Sequence, residues 1–277
     1  MTAPLHSACP IKVMAGRGLP ATRVVPEEVP IALVHDGITH AVMMGTPADL
    51  EDFGLGFAIT EGVAAPDQIR EIEIAEHEGG CEVRLWLAPD AGRAVTARRR
   101  AILGPTGCGL CGVESLEAAV PPPPPVPEGA TFTPEQVMEA MATLRPAQTL
   151  NAQAHALHAA GFWTPTKGLV ALREDVGRHN ALDKLVGALA RAGTDAGQGI
   201  ALLSSRISVE MVQKAARLGA PVLAAVSAPT ALALRTAEAA GLTLIGIARP
   251  DGFEIFTRPD RLRLPDDQTK GGYLATG

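Results

Sequence analysis

The sequence predicts an α/β protein in two parts: a smaller β-rich first unit and a larger second unit with a mostly parallel sheet. Three observations carry this. Early in the chain, short alternating apolar runs are joined by glycine-containing turns, the pattern of antiparallel hairpins. After residue 168, short strands apolar on both faces alternate with helical stretches of about ten to twelve residues, as crossover-connected parallel strands require. Between the two lie five consecutive prolines, 121–125, which must run as extended polyproline and make a semi-rigid connector. The expected boundaries are therefore 1–120, a connector at 121–127, 128–265, and a polar, glycine-rich tail at 266–277 that should fray.

Ile31 to His35 and Thr39 to Met43 flank Asp36-Gly37, a two-residue hairpin signal. Thr46, Pro47 and Asp49 look like the N-cap, first position and first turn of a helix running to about Glu61. Ile72 and Ile74 alternate with glutamates, and after the turn at 77–80 Cys81, Val83, Leu85 and Leu87 share one face, so Cys81 should point into the core. Arg98-Arg99-Arg100 reads as a solvated helix face rather than an anion site.

In the second unit, Thr133-Pro134-Glu135-Gln136 is a capping box that starts a helix. Strands are expected at Gly168–Arg173, Ile200–Ser204, Val222–Val226, Leu242–Ala248 and Phe253–Thr257. Helices are expected at Asn180–Arg191, Val209–Leu218 and Thr230–Ala240, the last two ended by Gly219 and Gly241.

Composition narrows the function classes. A 277-residue chain fits one large domain or two small ones at about 150 residues per domain, and can bury a core without staples. Aromatics at 3% and a net charge of −6 argue against a general nucleic-acid binder, which needs basic surplus and stacking rings. The longest uncharged run, Leu218 to Leu234, is interrupted by Gly219, Pro221, Ser227, Pro229 and Thr230, so it is not a membrane span. The N-terminus lacks a basic stretch followed by an apolar run, so a cytoplasmic protein is expected, with Cys9, Cys81, Cys108 and Cys111 as reduced thiols.

The sharpest chemical feature is Cys108-x-x-Cys111, set among Gly104, Gly107, Gly109 and Gly112. Glycines let the backbone turn tightly and leave both sulfurs uncovered. A zinc site would need two further ligands, and there is no second Cys-x-x-Cys. A dithiol oxidoreductase would need the first cysteine at a helix N-terminus after a strand, which the flanking pattern does not show. A sulfur-handling site needs an accessible thiolate on a mobile loop, and this segment meets that need. Zinc deaminase chemistry is excluded: no histidine is followed two residues later by glutamate, and Gly107 rather than proline precedes Cys108.

A second dense segment runs from Arg173 to Lys184, where a strand ends and a helix begins. Ligands of open α/β sheets bind at such junctions, with phosphates at helix N-termini. Arg178 and Lys184 could neutralise an anion, and Glu174, Asp175 and Asn180 could bond polar ligand edges. Ser204-Ser205-Arg206-Ile207-Ser208 and Ser227-Ala228-Pro229-Thr230 occupy the next two strand ends, and Arg249 the one after, which suggests one continuous crevice.

Taken together, the segments 107–112 (GCGLCG), 174–184 (EDVGRHNALDK), 204–208 (SSRIS) and 227–230 (SAPT) resemble the FdhD family, sulfur-carrier proteins needed by formate dehydrogenase. The resemblance spans about residues 30 to 262. It implies that the second unit has a cytidine-deaminase-like three-layer α/β fold without the zinc motif, and that the protein is a cytoplasmic homodimer. It further implies a persulfide carrier rather than a conventional turnover enzyme. Cys108 and Cys111 would accept sulfur from a cysteine desulfurase and pass it to the molybdenum cofactor. That cofactor, the bis-molybdopterin guanine dinucleotide form, would be bound as a substrate before it enters formate dehydrogenase, with no metal site of the protein's own. The family's cofactor-binding stretch falls on Ile247, Ala248, Arg249, Pro250, Asp251 and Gly252, although this stretch is less basic here than in the family pattern. His158 lies in a His155-Ala-Leu-His158-Ala-Ala stretch that reads as helical, where a lone histidine is ordinarily structural, and it is the resemblance that brings it into the site. A large polyanionic dinucleotide needs donors along a crevice, for which Arg178, His179, Arg206, Ser208 and Lys214 are candidates, beside Asp175, Asn180, Ser205 and Ser227. The alternative reading is a cofactor chaperone whose cysteines only sense redox state.

Overall fold

The computed structural model describes residues 2–89 and 121–264. The chain starts as a two-stranded ribbon. Strand β1 (Leu5–Ala8) pairs antiparallel with β4 (Arg23–Pro26), and β2 (Ile11–Met14) with β3 (Arg17–Pro20). This ribbon has no counterpart in the sequence reading. Its outer strands are four residues each and leave Ile11, Val13, Met14 and Leu19 exposed, so no buried-face alternation marks them.

A four-stranded sheet follows, in the order β6-β5-β8-β7, from β5 (Val29–His35), β6 (Ile38–Gly45), β7 (Ile69–His77) and β8 (Gly80–Leu87). The β5–β6 turn has Asp36 and Gly37 both at left-handed φ, 48° and 75°, the conformation whose twist matches a two-residue hairpin. Cys81 is buried on the core face, as the alternation predicts, with Ile31, Leu33, Val83 and Leu85.

Helix α1 (Leu50–Thr60) covers that face. It begins later than the Thr46-Pro47 signal predicts, after Asp49 in the left-handed region. The reason is tertiary. Thr46 donates its backbone N–H to Asp175 (3.0 Å) and accepts from the Val176 N–H through its hydroxyl (3.2 Å), so it is not available as a local cap.

The second unit opens with α2 (Pro134–Ala147), where Thr133 and Gln136 form the predicted reciprocal cap at 3.3 and 2.9 Å. After the short α3 (Asn151–Ala154) come β9 (His158–Thr164), β10 (Gly168–Asp175), α4 (Arg178–Arg191), β11 (Ile200–Leu203), α5 (Val209–Leu218), β12 (Val222–Ala225), α6 (Ala231–Ala240), β13 (Thr243–Arg249) and β14 (Gly252–Thr257). His158 therefore opens a strand, not a helical turn as its spacing from His155 suggests. The small residues around it fit a strand buried on both faces.

The sheet order is β10-β9-β11-β12-β13-β14. It is mixed rather than mostly parallel: β11–β12 and β12–β13 pair parallel, whereas β9 pairs antiparallel with both β10 and β11, and β14 antiparallel with β13. The strands β10, β11, β12 and β13 still run the same way, because β9 is inserted antiparallel between two of them. Their connections step in one direction across the sheet, which puts α4, α5 and α6 together on one face, where they share a core with Phe162, Leu203, Leu223 and Leu244. The opposite face is covered by α2 and Phe132, packed on Trp163, Leu202 and Ile245. This is a three-layer α/β/α arrangement.

The two units are pressed together through α1 and α4. Gly54 and Gly56 lie on opposite sides of α1. A Cβ on Gly54 would come 2.4 Å from a Val83 methyl in the four-stranded sheet, and one on Gly56 would come 1.7 Å from the Asp183 carbonyl oxygen in α4. A Cβ on Gly187 of α4 would come 1.9 Å from the Asp52 carbonyl in return. Only hydrogen at these positions lets the two backbones touch. The end of the proline segment docks as well: Val126 is buried and donates its N–H to the Ala240 carbonyl (2.8 Å), and Arg261 reaches the carbonyls of Pro127 and Gly241. No helix among the described residues is long and apolar enough to cross a membrane.

Candidate functional site

Because β10 to β13 share a direction, their C-terminal ends meet at one rim, and the antiparallel β9 begins there. The rim holds His158, the turn 175–179, Ser204 to Ser208, Ser227 to Thr230 and the β13–β14 turn. Neighbouring rim segments are tied by main-chain bonds. Ser204 N–H donates to Ala159, Val226 N–H to Leu203, Ile207 N–H to Ala228, Thr230 N–H to Ile207, and Ile247 N–H to Ser227, all at 3.0 to 3.3 Å. Ser204 accepts the Ala159 N–H through its hydroxyl at 2.7 Å.

Three residues on this rim have the marks of a binding surface. Arg178 Nε and His179 Nε2, in the first turn of α4, are shielded from solvent without a hydrogen-bond partner. Unpaired buried donors are uncommon and call for an occupant. Burial, reinforced by Arg178 and Lys214, pushes the His179 imidazole down to about 4, so it is neutral at pH 7. Its nearest carboxylate is Glu210, at 3.9 Å, in the first turn of α5. Glu210 is itself held below the usual carboxylate range: burial opposes its charge but is outweighed by Ser208, its own backbone N–H, His179 and Arg178. Third, Ile247 has φ 52° where the β13–β14 register breaks between Gly246 and Arg249. A β-branched residue in the left-handed region is strained by about 1–3 kcal/mol, and such strain concentrates at functional sites.

The other predicted residues divide into rim and interior. His158 is half-buried beside Arg178, and its imidazole is lowered by burial and by that guanidinium, with Asp175 opposing. Arg206, Arg249, Pro250 and Asp251 are exposed, Ser208, Ser227, Ile247 and Gly252 partly so, and Ala248 is buried behind them. Ser205 is buried and donates its hydroxyl to the Arg206 carbonyl at 3.0 Å. Asp175, Asn180 and Lys214 point inward. Asp175 is fully buried, and its carboxylate accepts from Thr46 N–H, Gly177 N–H, Asn180 Nδ2 and Lys184 Nζ at 2.7 to 3.0 Å. Lys184, expected to neutralise an anion, is instead fully enclosed and spent on Asp175 and the Thr46 carbonyl. Glu174 likewise faces inward, where it accepts the Leu150 and Asn151 N–H groups at the start of α3.

Lys214 is 6% exposed and donates to Asp183, Thr60 and Glu61 at 2.8 to 3.0 Å. Burial works against its charge, but Asp183 and Glu61 outweigh it and hold the ammonium above the ordinary lysine range. Thr46, Thr60 and Glu61 are thus parts of the site's support that the sequence reading missed. They come from the first unit, more than 120 positions from their partners, and no local pattern marks them. Cys108, Cys111 and the 98–100 arginines lie outside the described residues.

A family model described as FdhD/NarQ matches residues 26–263. The chain belongs to the FdhD/NarQ family. It is 53% identical to the sulfur carrier protein FdhD of Agrobacterium fabrum over 251 residues, covering 89% of this chain and 93% of that one. It is 51% identical to that of Cupriavidus necator, over 86% and 83% of the two chains. The fold also matches the crystal structure of a protein assigned as a formate dehydrogenase accessory protein, from Desulfotalea psychrophila. The TM-score is 0.70 at 24% identity, over 93% of this chain and 99% of that one.

Proposed function

We propose that this FdhD/NarQ-family chain is a sulfur carrier in formate dehydrogenase maturation. It accepts sulfane sulfur from a cysteine desulfurase on Cys108 or Cys111 as a persulfide. It then delivers that sulfur, at the sulfide level, to the molybdenum cofactor, whose guanine dinucleotide lies as substrate along the rim: the second cysteine of the pair attacks the inner sulfur of the persulfide, supplies the electron pair, and leaves the carrier as a Cys108–Cys111 disulfide. In the first transfer the attacking cysteine thiolate takes the terminal sulfur of the donor's persulfide, and the donor cysteine leaves as a thiolate. The observation that carries the binding half is the pair of unpartnered donors, Arg178 Nε and His179 Nε2, at the N-terminus of α4. A helix N-terminus and a guanidinium are what a phosphate recognises, and two further helix N-termini, of α5 and α6, open on the same rim. The family membership supports the sulfur half.

The test is intact-protein mass after incubation with a cysteine desulfurase and L-cysteine, comparing the native chain with Cys108→Ala and Cys111→Ala. A gain of sulfur that a thiol reductant removes, and that one substitution abolishes, is the expected result. No gain, with molybdenum cofactor still bound, would favour a cofactor chaperone instead.

A further inference from the structure

We propose that the buried Asp175–Lys184 pair, together with Thr46 of the first unit, is the positioning element that aims the Arg178–His179 donors. The inference rests on the reading of the rim as a nucleotide site and goes beyond it, since the three residues are buried and their polar groups are bonded to one another and to the turn.

The turn 175–179 connects β10 to α4 and carries both donors. Gly177, at the N-cap of α4, has no side chain with which to cap it. The turn is held instead by one carboxylate. Asp175 Oδ1 accepts the Gly177 N–H at 2.8 Å and Asn180 Nδ2 at 2.9 Å, while Oδ2 accepts Lys184 Nζ at 2.7 Å and the Thr46 N–H at 3.0 Å. All four bonds are made with both charged partners at 0% side-chain exposure.

Two bonds then bring in the first unit. Lys184 donates to the Thr46 carbonyl at 2.9 Å, and the Thr46 hydroxyl accepts the Val176 N–H at 3.2 Å, two residues before Arg178. There is no slack in the packing: a Cβ on Gly45 would meet Asn180 Nδ2 at 2.9 Å and Asp175 Oδ2 at 3.3 Å, and one on Gly177 would meet Asn180 Nδ2 at 3.0 Å.

A buried ion pair is weak evidence for stability, because desolvation offsets most of the attraction. This pair has a geometric role that an apolar pair could not fill, since Asp175 satisfies two main-chain N–H groups from different units at once. The donors at 178–179 are therefore placed by a contact between the units, and a shift of the first unit is transmitted to the rim through Thr46.

The test is GDP binding to the full chain by calorimetry, at a temperature where each variant is folded. Thr46→Ala removes the acceptor for Val176 and leaves the main-chain bonds, and Thr46→Ser keeps it. The expected result is GDP affinity lowered about tenfold in Thr46→Ala and Lys184→Met, near the loss of a single charge-assisted bond, and restored in Thr46→Ser. Affinity unchanged in Thr46→Ala and Lys184→Met while Arg178→Ala loses binding would overturn the positioning role and leave the nucleotide site standing. Affinity unchanged in Arg178→Ala as well would overturn both. Should Lys184→Met fail to fold, the Thr46 pair of variants decides the matter alone.

Discussion

The contact between α1 and α4 makes a prediction whose sign opposes helix propensity. Gly187 lies inside α4, where alanine would ordinarily stabilise the helix by about 1 kcal/mol. Here the added Cβ would come 1.9 Å from the Asp52 carbonyl oxygen, 2.7 Å from its carbon and 2.9 Å from Cα. These are main-chain atoms, so no rotamer change relieves the clash. A methyl needs about 3.5 Å, so the helices must part by about 1.5 Å. That movement overpacks a buried joint, at about 3 kcal/mol, and stretches the 2.6 Å Thr60–Asp183 bond between the same helices, at about 1 kcal/mol. With the propensity gain subtracted, Gly187→Ala should destabilise by about 3 kcal/mol, or a melting point lower by about 5–10 °C. Gly56→Ala should behave alike, its Cβ being 1.7 Å from the Asp183 carbonyl. Thermal unfolding followed by circular dichroism measures both. A melting point equal to or above that of the native chain would mean that the helices are not in backbone contact, and the account of how the units join would fall with it.

Other expectations follow from the charged and polar groups. Lys214→Met should cost about 3–5 kcal/mol because it strands the buried Asp183 carboxylate, and the double variant Lys214→Met/Asp183→Leu should recover much of that; an equal loss in the double variant would refute the charge argument. His35 is buried with neither ring nitrogen hydrogen-bonded, and burial, with His40 beside it, pushes its pKa down to about 4. A folded value depressed from about 6.5 means that its stability contribution is complete above pH 6.5 and is lost as the pH falls toward 4, by about 3 kcal/mol. His35→Leu should flatten this part of the pH–stability profile, and parallel profiles for the two proteins would count against it. Arg178→Ala should weaken GDP binding by about 1.5–3 kcal/mol, with less salt dependence than the native chain; identical isotherms would remove Arg178 from the site.

Much of the second unit was legible in the sequence. Thr133 and Gln136 announced α2, Gly219 and Gly241 ended α5 and α6, and the short apolar runs marked β11 and β12, because each of these signals acts within a few residues. Strand direction was less legible. The start of β9 reads as helical from the spacing of His155 and His158, since a strand buried on both faces has no alternation to show, and the antiparallel insertion of β9 is what makes the sheet mixed. Thr46 was read as a cap for the same kind of reason: its sequence neighbours favour a helix start, but its bonding partners lie about 130 positions away.

For the candidate site, the sequence by itself determined which segments meet. Polar residues following successive strands of an α/β pattern must gather at one sheet edge, and Arg178, Ser208, Ser227 and Arg249 do so. It could not determine which of these polar groups face a ligand. Within the eleven residues from Glu174 to Lys184, Arg178 and His179 have polar atoms left unpaired, whereas Glu174, Asp175, Asn180, Asp183 and Lys184 are consumed by internal bonds. Charge and polarity are properties of a residue, but whether a charge is free or spent depends on what the rest of the chain brings to it. Here the first unit, pressed against α4 through two glycines, supplies Thr46 and Thr60 as the partners that decide it.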